Sequence, residues 1–194
     1  PEKLPSPIVC IVADGLGGHE DGETASRVVI EELVTCIGEG DFKTAIAEGI
    51  SSAHQKLSLM SRGRRPMGST VVGIVLGSTQ AVFFNVGDSR AYRLGQSNIE
   101  QVSEDDLSSS GSHMLSQCIG GGSRLPKPHV VELQRNETET YLLMSDGVWA
   151  SISDKMIMEI IASSNGNSAK DLCDLAVQSG SEDDCTAIVI RPNA

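Results

Sequence analysis

The sequence predicts an α+β fold in which antiparallel hairpins pack against helices on the outside. Three observations predict it. Helical periodicity is concentrated in two stretches near the start of the chain and two near its end. Between them, β-rich runs follow one another without helices, which argues against a doubly wound parallel sheet. Short turn signals separate those runs at spacings that suit hairpins.

Ile8–Ala13, IVCIVA, is a short apolar run without alternation and reads as a buried strand. It enters the Gly-rich, acidic turn DGLGGHEDG. From about Glu23, the residues Ala25, Val28, Val29, Leu33 and Ile37 recur on one helical face, and Gly38 and Gly40 stop the helix. A second helix is predicted from Asp41, a suitable N-cap, to Met60. Its apolar face is Phe42, Ala45, Ile46, Ile50, Ala53, Leu57 and Met60. The basic loop SRGRRP follows.

Thr70–Leu76 and Ala81–Val86 are strands joined by a hairpin turn at Gly77–Gln80. Ala91–Leu94 continues the pattern after the turn Gly87–Arg90, and Ile99–Val102 pairs back across Gly95–Asn98. Asp105–Ser112 is polar and serine-rich, hence a loop. Thr140–Met144 is a strand leading into SDGVW. Helices are expected near Asp154–Ser163 and Ala169–Ser179, with Thr186–Ile190 as a closing strand.

The chain has 194 residues with 39% hydrophobic content, enough for one sizeable core and one domain. Aromatics make up only 3%, so aliphatic side chains and Met must fill that core. The formal net charge of -11 repels phosphate backbones and excludes nucleic acid as an expected partner. The five cysteines, Cys10, Cys36, Cys118, Cys173 and Cys185, are widely spaced with no C-x-x-C, so neither a disulfide framework nor a zinc site is indicated. Cys10 and Cys36 read as small core residues. No apolar run approaches the roughly 20 residues that span a bilayer, and no signal peptide opens the chain. A soluble, cytoplasmic protein is expected, and a monomer.

Three acidic turns share one design. Asp14-Gly15 follows the strand IVCIVA, Asp146-Gly147 follows YLLMS, and Asp183-Asp184 precedes CTAIVI. A strand end holds each carboxylate on a rigid element, and the neighbouring Gly lets the backbone turn and expose a carbonyl oxygen. Carboxylates plus a carbonyl are the donors that hard divalent cations take. Two such ions a few Å apart make a phosphoryl-transfer site, with a bound water as nucleophile. Singly, an Asp-Gly pair is an ordinary turn former, and that reading stays open for each. A fourth turn, NVGDSRAY, centres on Asp88, which either pairs locally with Arg90 or reaches a further ion.

Taken together, VADGLGGHEDGETAS, GSTVVGIVL, VFFNVGDSRAYRL, LLMSDGVWASIS and SEDDCTAIVI resemble the type 2C, metal-dependent protein phosphatase family, especially its small bacterial members. The resemblance runs from about Ile8 to Ile190. It implies a four-layer αββα sandwich of two antiparallel sheets flanked by helices. It also implies hydrolysis of phosphoserine or phosphothreonine on proteins, in opposition to a Ser/Thr kinase, with two Mg²⁺ or Mn²⁺ ions and a possible third. By position in the motifs, Asp14 matches the carboxylate bridging two ions, and Gly15 matches the donor of a backbone carbonyl. Asp146 and Asp183 match ligands of the second ion, and Asp88 with Asp146 matches the pair that holds the third. Thr70, in GST, falls in a structural motif.

Several departures accompany the match. The family opens with a strand bearing a phosphate-binding Arg and an Asn-Glu-Asp turn, whereas this sequence starts at Pro1. A longer natural chain is the expected explanation, because losing that strand would leave a sheet edge unpaired. Arg62, Arg64 and Arg65 are candidate substitutes, with a solvated basic loop the favoured reading. Leu16 stands where animal members carry a His. Nearby His19 is the candidate general acid, the alternative being an exposed loop residue. Asp184 replaces a usual Asn. Most of the bacterial flap after SEDDL is lacking, and Gly111–Met114, GSHM, has the form either of a cloning scar or of a natural serine-rich loop. The main alternative function is a catalytically inactive family member that binds phosphoproteins or regulators. A nucleotide-binding reading of GLGGHEDG lacks the Walker lysine and the required glycine spacing.

Overall fold

The computed structural model describes residues 7–16, 19–38, 40–63, 65–108, 114–122, 124–163 and 166–191, with His19 described in its backbone only. Asp41 begins the clearest local structure. Its carboxylate accepts from Lys43 N at 3.2 Å and Thr44 Oγ1 at 2.5 Å. That N-cap launches helix α2, Phe42–Met60, as the sequence predicted. Helix α1, His19–Cys36, lies against it. It starts earlier than the predicted Glu23, since Glu20 and Asp21 in its first turn suit the positive helix terminus.

Before α1 come strands β1, Ile8–Val12, and β2, Gly15–Leu16. After α2 come β3, Gly68–Ser69, β4, Val71–Leu76, β5, Gln80–Val86, β6, Arg90–Leu94, β7, Ile99–Gln101, and β8, Ile119–Gly120. Strands β9, His129–Gln134, and β10, Thr140–Met144, lead to the short helix α3, Asp146–Trp149. Helices α4, Asp154–Ser163, and α5, Ser168–Gln178, precede β11, Ala187–Ile190.

The strands form two four-stranded sheets, ordered β1-β4-β5-β9 and β11-β10-β6-β7, and a small sheet β2-β3-β8. Every pairing is antiparallel. The predicted hairpin at Gly77–Gln80 closes through Gly77 N to Gln80 O at 2.9 Å. The next turn does not make a hairpin. After Val86 the chain leaves the first sheet and enters the second at Arg90. Gly87 permits this with φ +97, and a Cβ there would sit 2.7 Å from the Thr70 side chain.

Period-two alternation along β4 sends Val71 and Val75 to one side, among Leu33, Ile46, Leu57 and Phe84 on α1, α2 and β5. Val72, Ile74 and Leu76 face the other way, into a cluster with Phe83, Ala91, Tyr141 and Leu143 between the two sheets. A third cluster, including Leu142, Met144, Ile157, Ile161 and Leu172, joins the second sheet to α4 and α5. Packing therefore runs helices, sheet, sheet, helices. Fully buried side chains such as Leu33 and Leu57 contribute about 1.5–3 kcal/mol each through loss of apolar surface to water.

Some expectations are corrected. Strand β1 stands at one end of its sheet, so Ile8–Ile11 are half-buried rather than enclosed. Cys10 and Cys36 are likewise half-buried. Met60 is exposed at the end of α2. Strand β9 was not predicted, because at the other end of the same sheet its residues carry no clean alternation of burial. Residues 109–113, within the serine-rich loop and GSHM, lie outside the described residues. Among the described residues, no helix is long and apolar enough to cross a membrane.

Candidate metal centre

Asp14 leaves the end of β1 with its backbone held on both sides by the segment Ser69-Thr70. Its carbonyl oxygen accepts from Thr70 N and from Ser69 Oγ, each at 2.8 Å. Its N–H donates to Thr70 Oγ1 at 3.3 Å. Residues of the GST motif therefore clamp the first aspartate, in keeping with a structural role. Gly15 next to it pairs with Ser69 in the small sheet. A Cβ on Gly15 would lie 2.0 Å from the carbonyl oxygen of Gly22 in α1, so only glycine allows that approach.

Asp146 begins α3 directly after β10, and its carboxylate accepts from Gly147 N at 2.9 Å. Asp183 accepts from Asp184 N at 2.8 Å through its own carboxylate. The loop that carries Asp183 is fastened to the Asp146 turn. Ser145 Oγ donates to Asp184 O and accepts from Thr186 N, both at 3.0 Å, and Ser181 Oγ donates to Gly147 O at 2.7 Å. Asp88 sits in the turn between β5 and β6, and its carbonyl accepts from Trp149 Nε1 at 3.0 Å.

These elements bring the four aspartates to one end of the sheets. Asp14 shows the consequence. Its carboxyl is pushed up to about 7, first by burial, then by Asp146, and further by Asp183 and Asp88. Asp88 is pushed up to about 6 by burial and by Asp146, with Arg90 opposing only in part. A cavity of about 880 Å³ opens beside them, lined by Asp14, Gly15, Glu20, Glu23, Asp183 and Asp184 among others. A neighbouring space of about 400 Å³ is lined by Asp146, Gly147 and Asp183. Among the described residues, no three acidic, His or Cys side chains close on a common point. The donor set, all oxygen and strongly anionic, fits hard divalent cations.

Comparison with known proteins decides the family. A model described as protein phosphatase 2C matches residues 3–175. The chain belongs to the protein phosphatase 2C family. Among phosphatases of this family, the chain is similar to the serine/threonine phosphatase stp of Listeria welshimeri, at 28% identity over 217 residues, covering 96% of this chain and 85% of that protein. Its fold is similar to that of PppA, described as a key regulatory component of T6SS in Pseudomonas aeruginosa, with a TM-score of 0.86, 25% identity, and coverage of 94% and 85% of the two chains. It is also similar to the catalytic domain of the serine/threonine protein phosphatase PstP in complex with two manganese ions, with a TM-score of 0.79, 27% identity, and coverage of 93% and 86%.

Within this type 2C phosphatase, Asp14 senses the charges of Asp146, Asp183 and Asp88, and Asp14, Gly15 and Asp183 line one cavity. The side chain of His19 lies outside the described residues. Arg62 and Arg65 are exposed in their loop and do not line the acidic cavity, and Arg64 lies outside the described residues. Sequence reasoning missed Trp149. Its motif SDGVW was noted, but nothing local shows that an indole four residues from Ser145 reaches the carbonyl of Asp88.

Proposed function

We propose that this chain hydrolyses phosphoserine and phosphothreonine on proteins with two divalent cations, Mg²⁺ or Mn²⁺. One observation carries the reading most of the way. Asp14 lies among three further aspartates in a partly buried cluster, and every neighbour that shifts it raises its pKa. Such a cluster calls for cations. Family membership, and the two manganese ions of the PstP structure, support the same assignment.

Asp14, the carbonyl oxygen of Gly15, Asp146 and Asp183 are assigned to two ions, and Asp88 with Asp146 to a third. When bound, divalent ions at such a site acidify a coordinated water and neutralise charge on the phosphoryl oxygens. The chain's own part is positional. Ser69 and Thr70 fix the backbone of Asp14, and Ser145 and Ser181 tie the Asp183 loop to the Asp146 turn. His19, at the start of α1, is assigned as proton donor to the leaving group. Phosphoproteins made by a Ser/Thr kinase are the assigned substrates, and a cytoplasmic monomer the assigned form.

Hydrolysis of a phosphothreonine peptide with Mn²⁺, with Mg²⁺ and with EDTA, by the unmutated chain and by Asp146→Ala, tests the reading. Turnover that requires metal and collapses in the variant is expected. Metal binding without turnover on any phosphopeptide would point instead to a binding module.

A further inference from the structure

Strands β6 and β10 pair in a register that places Met144 opposite Arg90. Extended past the end of that ladder, the same register sets Asp146 opposite Asp88. There the ladder has opened: Asp146 starts α3, and Asp88 sits in the turn before β6. Two carboxylates directly opposed repel each other, and no ladder hydrogen bond holds their backbones together at that point.

One side chain spans the opening. Trp149, the last residue of α3, donates its indole N–H to the carbonyl of Asp88 at 3.0 Å. The ring is itself fixed. The Arg90 guanidinium carbon lies 3.3 Å from its centroid, a close cation–π contact. Arg90 in turn is immobilised through its three nitrogens. Nε donates to both carboxylate oxygens of Asp105 at 3.1 and 3.0 Å, Nη2 donates to Oδ2 at 2.7 Å, and Nη1 donates to Tyr92 OH at 3.3 Å. Asp105 also accepts from Gln101 Nε2 at 2.8 Å. The pair is shielded, with side chains 22% and 15% exposed, so it is far less screened than a surface ion pair.

Asp88 precedes Arg90 by two residues in the same turn, and Asp146 lies one helical turn from Trp149. The stack therefore grips both carboxylate-bearing elements at once. We propose that Trp149, held by the Arg90–Asp105 pair, is a positioning residue that sets the separation of Asp88 and Asp146, and so the affinity for the divalent cation held between them. The inference rests on the metal reading above and concerns the third of the assigned ions.

The alternative is that Trp149 only fills space beside the core under α4 and α5. Mn²⁺ binding separates the two, measured by calorimetric titration and by electron paramagnetic resonance of free Mn²⁺ on the full chain. W149F keeps an aromatic ring, though a smaller one, and deletes the donor, whereas D105N weakens the grip on Arg90 while leaving the indole in place. Both are expected to bind the third ion roughly fivefold less tightly, the change that one lost hydrogen bond makes in an equilibrium constant. The other two ions are expected to be unaffected. A space-filling role would lower the melting temperature in EDTA while leaving the isotherms of the folded variants superimposable on that of the unmutated chain, and that result overturns the proposal. Should W149F lose a cooperative melt, D105N decides on the same isotherm. Absence of Mn²⁺ binding by the unmutated chain would remove the metal reading and this proposal together, whereas binding that neither variant alters removes the proposal alone.

Discussion

The hydroxyl oxygens of Thr70 and Ser89 lie 2.8 Å apart in the interior, so the turn bearing Asp88 is fastened to the residue that brackets Asp14. Two of the four aspartates thus hang from one buried hydrogen bond between the residues that immediately precede strands β4 and β6. Thr70→Val keeps the shape of the side chain but removes the oxygen, leaving Ser89 Oγ and the Asp14 N–H without this partner. A loss of about 1–3 kcal/mol is expected, the cost of stranding buried polar groups. Urea unfolding of the variant, compared at constant m-value, measures it.

The raised carboxyl of Asp14 makes a prediction about pH. Its folded value of about 7 lies above the ordinary 3.8, so without metal the folded state binds the proton more tightly than the unfolded chain does. The associated stability is present below pH 3.8 and is lost as pH rises through about 7. Asp88, raised to about 6, acts in the same direction. In EDTA the melting temperature is expected to fall between pH 4 and pH 7 on account of these groups, and less steeply in Asp14→Asn. Mn²⁺ added at pH 7.5 is expected to raise it again, since a ligand bound only by the folded state stabilises by mass action. A melting temperature indifferent to Mn²⁺ would contradict the assignment.

Gly15 and Gly38 offer a paired test of close packing. A methyl on Gly15 would meet the backbone of Gly22 at 2.0 Å, whereas one on Gly38 meets nothing within 4 Å. Gly15→Ala is expected to cost about 1–3 kcal/mol or more, because backbone atoms must move apart. Gly38→Ala should stay within about 0.5 kcal/mol of the unmutated chain. Thermal melts of both variants, run side by side, give the answer.

The carboxylates should not be equal in turnover. Asp146→Asn removes the residue assigned to two of the ions, and its kcat is expected to fall roughly 100-fold or more, as loss of several kcal/mol of charge stabilisation implies. Asp88→Asn touches only the third assigned ion. Its main effect is expected on the Mn²⁺ concentration needed for half-maximal rate, read from rates on a phosphothreonine peptide across a metal titration.

Local patterns already contained much of the architecture. Helix α2 with its Asp41 cap, the hairpin at Gly77–Gln80, strand β10 and helices α4 and α5 all stand where periodicity and turn chemistry placed them. Cap geometry, residue period and turn propensity act over a few residues, so one chain segment suffices to reveal them. The aspartates were legible for the same reason, as acidic turns at the ends of apolar runs. Strand β9 was not legible, because it depends on a distant partner, β5.

The sequence by itself singled out the residues proposed to carry the chemistry. Only the tertiary structure decided how they are held. Asp14 and Asp183 reach one cavity, and Asp146 and Asp183 the space beside it, because strands from two sheets end on the same side. Their backbones are fixed by Thr70, Ser145 and Trp149, and no local pattern announces which aspartate each of these holds. Propensity is short-ranged, whereas the repulsion among four carboxylates, and the hydrogen bonds that hold them in spite of it, exist only once the chain has folded.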